Sequence, residues 1–274
     1  MMLLEKLNIK YPNKNAFITG AGSGLGAAFA RLLASNGWTL YLSDIQMASL
    51  EEIKNSLDGA KAIYTYELDV SNALNYEQVM DQLKKDTNHM DVVINNAGIG
   101  DGEFFQHYKL DQWERMIRIN LMGVYYGCHH FVSKMIEQSS GLIINIGSAA
   151  GFMNAPGMSA YNASKAAVYS LSETLYHELK PKGIHVSVVT PTFFKTNIMS
   201  QASGSQQFMN FAEKQMKYST TNAEEMANVV LMQSIKGKFH IVHPKEARRA
   251  YFFKKWFPKL INKQFDKMME KFLR

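Results

Sequence analysis

Thr19-Gly20-Ala21-Gly22-Ser23-Gly24-Leu25-Gly26 is the stretch on which the fold turns. It follows Ala16-Phe17-Ile18-Thr19, a short run that reads as a strand, and opens a stretch from Leu25 to Ser35 that reads as a helix. Glycine lets a backbone turn tightly and approach a phosphate with no Cβ in the way. The amino end of a helix presents free N–H groups and a positive dipole to that phosphate. Glycines alone are routine turn material; the order strand, glycines, helix predicts a pyrophosphate cradle formed by Gly20, Ser23, Gly24, Leu25 and Gly26.

Outward from this turn the first 190 residues alternate short β-rich runs with longer amphipathic ones. Strands are expected at Trp38 to Ser43, Ala62 to Tyr66, Asp91 to Ile94, Leu142 to Ile146 and Ile184 to Val189. Helices are expected at Ala48 to Leu57, Ala73 to Asn88, about Asp111 to Glu137, and Ala160 to Leu179. Such alternation implies right-handed crossovers and a parallel sheet covered on both faces. The expected fold class is α/β, a single doubly wound domain with about seven parallel strands over residues 1–244, followed by a basic extension over 245–274. From about 195 to 218 the pattern loosens into Ser, Gln, Met and Phe; a loop that long in a compact domain points to a lid. Helical periodicity returns from Asn222 to Ser234, and Phe239 to Val242 reads as the last strand.

Composition narrows the class. The chain has 274 residues, 46% apolar and 20% charged, which fits a globular protein and excludes collagen-like or wholly disordered architectures. Cys128 is the single cysteine, so neither an intrachain disulfide nor a cysteine zinc cluster is available. The early charges in Met1-Met2-Leu3-Leu4-Glu5-Lys6 do not read as a secretory leader, and no run reaches the roughly 18 apolar residues of a membrane span, so a cytoplasmic protein is expected. The net charge of +6 belongs to the end of the chain: residues 245–274 hold ten Lys/Arg against three Asp/Glu, and the rest hold 20 against 21. The body therefore lacks the concentrated positive face of a nucleic-acid binder, and no nucleic acid or metal is expected as a partner.

Asp44 ends the second strand, 18 residues past Gly26. A carboxylate there accepts hydrogen bonds from the ribose hydroxyls of an adenosine and repels a 2′-phosphate. Ile45 follows it and Ser23 sits in the turn, with no base at either place, which favours NAD over NADP. The alternative is that Asp44 only caps the next helix.

Further motifs then make a resemblance specific. Thr19 to Gly26 has the form TGxxxGxG; Asn95-Asn96-Ala97-Gly98 follows the fourth strand; Ser148 follows the fifth; thirteen residues on comes Tyr161-Asn162-Ala163-Ser164-Lys165, a YxxxK. The chain resembles the short-chain dehydrogenase/reductase family from residue 14 to about 196, in order and spacing. The residues support the same chemistry. Tyr161 and Lys165 lie four apart on an expected helix and share a face. A tyrosine is a poor base near neutral pH, with a pKa of about 10, but a neighbouring ammonium and an oxidised nicotinamide would each favour its phenolate. Tyr161 would then move the hydroxyl proton, Ser148 would hydrogen-bond the same oxygen, and the hydride must come from a cofactor. Taken singly, each of these residues is more often structural.

The resemblance implies more. It assigns the nicotinamide ribose to Lys165 and a helix distortion with a water relay to Asn120; it places Asp69 and Val70 beside the adenine, and Asn96, Ala97 and Gly98 around the cofactor's ribose. Pro191-Thr192 stands where the family often has Pro-Gly, and Thr196 matches a threonine facing the cofactor. It also implies a homodimer or homotetramer through the helices carrying Asn120 and Tyr161.

On the substrate side, Phe152 and Met153 follow Ser148, and Phe193 and Phe194 follow Pro191. The suspected lid adds Met199, Phe208, Met209 and Phe211. Substrate contacts are expected from Ser148, Phe152, Met153, Tyr161 and Phe193, in a hydrophobic pocket for a lipophilic secondary alcohol or ketone. The same aromatics could instead pack beneath the lid. After Pro258, Ile261, Phe265, Met268 and Phe272 recur at helical spacing, with Lys259, Lys263, Lys267 and Lys271 on another face. That stripe covers the body or a partner subunit, or else the segment 248–274 rests on an anionic membrane surface. The leading expectation is an NAD-dependent alcohol dehydrogenase or carbonyl reductase; the alternatives are a catalytically silent nucleotide sensor and a membrane-surface scaffold.

Overall fold

A computed structural model describes residues 3–194 and 204–272. A first helix, α1 (Leu3–Lys10), precedes β1 (Asn15–Thr19), α2 (Gly24–Ala34), β2 (Thr39–Asp44), α3 (Met47–Ser56), β3 (Ala62–Glu67), α4 (Ala73–Asp86) and β4 (Val92–Asn95). The chain continues through α5 (Leu110–Ile117), α6 (Gly123–Gln138), β5 (Gly141–Ile146), the short α7 (Ala150–Met153), α8 (Ser159–Leu179) and β6 (Ile184–Val189). It ends with α9 (Gln206–Tyr218), α10 (Ala223–Ile235), β7 (His240–Ile241), α11 (Lys245–Trp256) and α12 (Pro258–Phe272).

The seven strands form one sheet in the order β3-β2-β1-β4-β5-β6-β7, every pair parallel. Strands such as Val92-Val93-Ile94 and Leu142-Ile143-Ile144 are buried on both sides, as a doubly covered parallel sheet requires. One face carries Phe29 and Leu33 of α2, Leu7 of α1, and Val230 and Leu231 of α10. The other carries Tyr76 and Val79 of α4, Val124 and Phe131 of α6, and Val168 of α8. Cys128 is buried against Asn95 and Asn145, and burial pushes its thiol up to about 12, so it packs rather than reacts. Strand order reverses between β1 and β4, and a crevice opens beyond their carboxyl ends.

Two features bear on the expectations. The helix expected over about 111–137 is distorted at Asn120, as the resemblance implies: a π-helical turn, Arg118–Met122, interrupts it. Asn120 is fully buried at its centre; its Oδ1 accepts from Ile99 N at 2.9 Å and its Nδ2 donates to Ile99 O at 3.0 Å. Bonding a loop backbone in both directions requires the side chain to leave the regular helical path, and π-turns commonly mark such sites. Second, the lid stretch contains a regular helix, α9, with Ser205 Oγ capping Phe208 N. Among the described residues no helix is long and apolar enough to cross a membrane.

Candidate active site

The crevice at the sheet's carboxyl edge is a cavity of about 770 Å³, within the range of small-molecule sites. At one end Gly20, Ser23, Gly24 and Leu25 line it, with Asp44 opposite. Gly26 lies beneath the turn: a Cβ there would fall on the Gly20 carbonyl oxygen. Gly20 has a φ of +64°, and its Cβ would come within 2.9 Å of Ala97 Cα. The turn is thus held against the end of β4 too closely for side chains at either position. Asn96 Nδ2 fastens it by donating to the carbonyls of Thr19 and Gly20 at 3.0 and 3.1 Å. Thr19 Oγ1 in return accepts from the backbone N–H groups of Asn96 and Ala97, both at 3.0 Å. Asn96 is therefore a brace for the cradle as well as part of its wall.

Asp44 Oδ2 accepts from Gly22 N at 2.9 Å, and Oδ1 accepts from Gln46 N at 3.0 Å. Gln46, which precedes the first turn of α3, makes no side-chain cap, and the bond from Asp44 stops at Gln46 N, short of the amides of α3 itself. The Asp44 carboxylate instead faces the glycine turn, and its lining neighbours Ile45, Gln46 and Ser49 carry no cation. Farther along, Val70, Ala97 and Gly98 form the wall; Asp69 also lines it, with one carboxylate oxygen accepting from the backbone and hydroxyl of Ser71.

The reactive end is built by β5, α7 and α8. Ser148 leaves the end of β5, and its Oγ accepts from Ala150 N at 3.1 Å, which fixes its rotamer and leaves its proton to donate. It lines the cavity together with Tyr161 and favours the ionised form of that phenol. Tyr161 and Lys165 stand one turn apart on α8, both buried and both lining the cavity. Lys165 Nζ donates to Ile146 O at 2.9 Å and lies 5.8 Å from the Tyr161 ring centroid. Burial lowers the ammonium to about 8, so it is still mostly charged at neutral pH.

In this structure burial raises the Tyr161 phenol above its ordinary value, with Ser148 pulling it back. The Lys165 amine donates to the Ile146 carbonyl. The acidification expected of the phenol draws on two cations, the Lys165 ammonium and an oxidised nicotinamide, and this chain carries only the first.

Asn120 stands behind this group. A Cβ on Gly98 would meet Asn120 Oδ1 at 3.0 Å and Lys165 Nζ at 3.5 Å, so the bare glycine is where the amide and the amine converge. Asn120 Nδ2 also approaches Ser164 Oγ at 3.4 Å, and that hydroxyl donates to Tyr161 O.

Pro191, Thr192 and Phe193 line the cavity, and Pro191 O accepts from Ala149 N at 2.8 Å, which ties this loop to α7. Met153 lines it as expected. Phe152 does not: its ring packs edge-on against Tyr251 of α11 at 5.1 Å, because α11 lies over α7 and takes that face. Thr196 and Met199 lie outside the described residues, as does the side chain of Phe211. Phe208 of α9 lines the cavity, joined by Ala212 and Met216. Sequence reasoning left out Ile119, Met158 and Ala250, and did not assign Phe265 and Met268 of α12 to this wall. The 261–265–268 stripe was the available signal, but periodicity says that a face is covered without saying by what.

A strand, a glycine turn with no room for a Cβ at Gly20 and Gly26, and an acid at the next strand's end define a dinucleotide-binding α/β protein. The short chain dehydrogenase family model matches residues 14–207, and the chain belongs to that family. It is 35% identical over 185 residues to the probable oxidoreductase EphD of Mycobacterium tuberculosis, covering 67% of this chain but only 31% of that protein, so it spans about a third of that relative. An uncharacterized oxidoreductase of Staphylococcus aureus is 35% identical over 188 residues, covering 68% of this chain and 80% of the relative. Among solved structures, a short chain dehydrogenase/reductase from Burkholderia phymatum in complex with NAD superposes with a TM-score of 0.77 at 28% identity, covering 88% of this chain and 93% of that one. A short-chain dehydrogenase from Sphingobium yanoikuyae in complex with NADPH gives 0.74 at 25% identity, covering 93% and 94%.

Proposed function

We propose that this chain is an oxidoreductase that transfers a hydride between NAD(H) and a lipophilic secondary alcohol or ketone, with Tyr161 as general acid and base. The observation that carries this reading is the single cavity joining the Asp44 end to the Ser148–Tyr161–Lys165 end. The site fits a dinucleotide by its own geometry, since the turn excludes any Cβ at Gly20 and Gly26. Gly20, Ser23, Gly24 and Leu25 would hold the pyrophosphate; Asp44 would hold the adenosine ribose; Asp69 and Val70 would flank the adenine; Ala97, Gly98 and Lys165 would take the nicotinamide ribose; and Pro191, Thr192 and Thr196 the carboxamide side. When bound, an oxidised nicotinamide supplies the hydride acceptor and a positive charge beside the phenol.

In the oxidising direction Tyr161 takes the hydroxyl proton of the alcohol while Ser148 hydrogen-bonds the same oxygen. In the reducing direction Tyr161 returns a proton to the carbonyl oxygen. Asn120 positions: it fixes the loop at Ile99 and stands next to the Lys165 amine, on the route by which a proton would be replaced. The relatives solved with NAD and with NADPH leave the choice of cofactor to local chemistry. The Asp44 carboxylate, with Ser23 and Ile45 beside it, supports NAD. The apolar wall of Met153, Met158, Phe193, Phe208 and Phe265 supports a lipophilic substrate. Assembly as a homodimer or homotetramer through the helices carrying Asn120 and Tyr161 belongs to the same proposal.

The test is absorbance at the reduced-nicotinamide band with both cofactors and a panel from small sugars and hydroxy acids to long-chain and polycyclic alcohols. We expect turnover to rise with substrate lipophilicity and to favour NAD. Turnover limited to the small polar members would overturn the substrate assignment, and binding of NAD with no turnover of any member would mark the chain as a sensor.

A further inference from the structure

The end of the chain has two apolar faces, and the cavity uses only one. On α11 the inward side is Ala247, fully buried, Ala250, which lines the cavity, and Tyr251, whose ring meets Phe152 and His240 at 5.1 Å each. On α12 it is Ile261, 7% exposed, with Phe265 and Met268 lining the cavity. That inner stripe accounts for the helical periodicity of the segment.

The outer side of the elbow between the two helices should then be polar, and it is not. Phe252, Phe253, Trp256, Phe257 and Leu260 are 44–62% exposed. The first, second and fourth of these form one cluster, with ring centroids 5.8, 6.1 and 6.0 Å apart. The helix break at Phe257, ahead of Pro258, turns the chain so that the cluster lies at a corner. Single exposed apolar residues are ordinary; five within nine positions, three of them in mutual contact, are not.

Cations flank the cluster along the chain. Residues 245–260 hold Lys245, Arg248, Arg249, Lys254, Lys255 and Lys259 against one acid, Glu246. Lys255 Nζ lies 5.3 Å from the Trp256 ring centroid on the outer side, whereas Lys254 Nζ reaches the inner stripe, 5.9 Å from the Phe265 ring centroid. A protein partner would need a matched apolar pocket within an acidic rim. An anionic bilayer offers both properties along its whole surface, with aromatic rings seated at headgroup depth and lysines reaching the phosphates.

We propose that the α11–α12 elbow is an interfacial membrane anchor that rests on anionic lipid, with Phe252, Phe253, Trp256, Phe257 and Leu260 inserted and the flanking Lys and Arg on the headgroups. The inference is independent of the catalytic reading: it uses only the outer face, and would hold for an inert chain. It gains a consequence if that reading holds, because the helices on the lipid also wall the substrate cavity.

The experiment is cosedimentation of the full-length protein with phosphatidylcholine vesicles and with vesicles containing 30% phosphatidylserine, in low and high salt. The expected result is at least tenfold more protein pelleted by the anionic vesicles in low salt, falling in high salt. The triple substitution Phe252→Ser, Trp256→Ser, Phe257→Ser should abolish pelleting, and Lys255→Glu with Lys259→Glu should remove the preference for anionic lipid. Thermal melts of each variant confirm folding, and these exposed positions should leave the melts nearly unchanged. Wild-type protein that stays in the supernatant, or a folded triple variant that pellets as well as wild type, would overturn the proposal. So would a wild-type oligomer, with no vesicle binding, that the triple substitution dissociates, since the cluster would then be a subunit contact.

Discussion

The floor of the cavity and its roof are built by different rules. The floor is backbone: the glycine turn lies against β4 with no room for a Cβ at Gly20 or Gly26, and Asn96 and Thr19 fasten it with four hydrogen bonds. The roof is side chain: Phe208 and Met216 come from α9, and Phe265 and Met268 from α12. A floor of this kind accepts one residue type at each position; a roof of apolar side chains accepts many of similar size. One end of the cavity is therefore fixed for a constant ligand and the other is free to vary.

Substitution should expose that contrast. Gly26→Ala places a methyl on the Gly20 carbonyl, and should cost about 1–3 kcal/mol of stability together with a tenfold or greater loss of NAD affinity. Thermal melts and fluorescence titration with NAD would measure both, and an alanine protein with unchanged affinity would break the contrast.

Lys165→Met probes the boundary between the two rules. Burial lowers the amine from 10.5 to about 8, so the charge is a cost to the folded state below pH 8. The unfolded chain binds the extra proton between about pH 8 and 10.5, and there wild-type stability from this group rises with pH. The methionine protein should lose turnover yet melt higher at pH 7, by up to about 3 kcal/mol less the lost bond to Ile146 O. The gap should close as pH rises above 8, and a gap constant with pH would contradict the buried-charge reading.

Phe265→Ala should have the smallest effect: a rise in KM of about fivefold for a long-chain alcohol, little change in kcat, and none in NAD affinity. A collapse of kcat would mean that the roof positions the reacting atoms.

The same contrast explains what the sequence made legible. The glycine turn, Asp44, Ser148 and the Tyr161–Lys165 pair are local patterns, each within a few residues of a strand end or along one helix turn, and the parallel order follows from their alternation. The distortion at Asn120 is legible only through the family resemblance; periodicity alone reads one helix, because the hydrogen bonds of the Asn120 amide go to Ile99, on a separate loop. Phe152 was misplaced because α11, a hundred residues away, takes its face. The roof residues of α12 were visible as a stripe, but the surface they cover is a tertiary fact that no periodicity encodes.

The proposed proton transfer by Tyr161 is tested most directly by the pH profile of kcat/KM for alcohol oxidation by wild type and Tyr161→Phe. Because burial raises the phenol and, among the described residues, no side chain fully offsets it, wild-type kcat/KM should climb through the alkaline range. The phenylalanine protein should bind NAD normally, lose about 10²–10⁴-fold in rate and show no such climb. A phenylalanine variant retaining wild-type rates and the same alkaline rise would contradict the account.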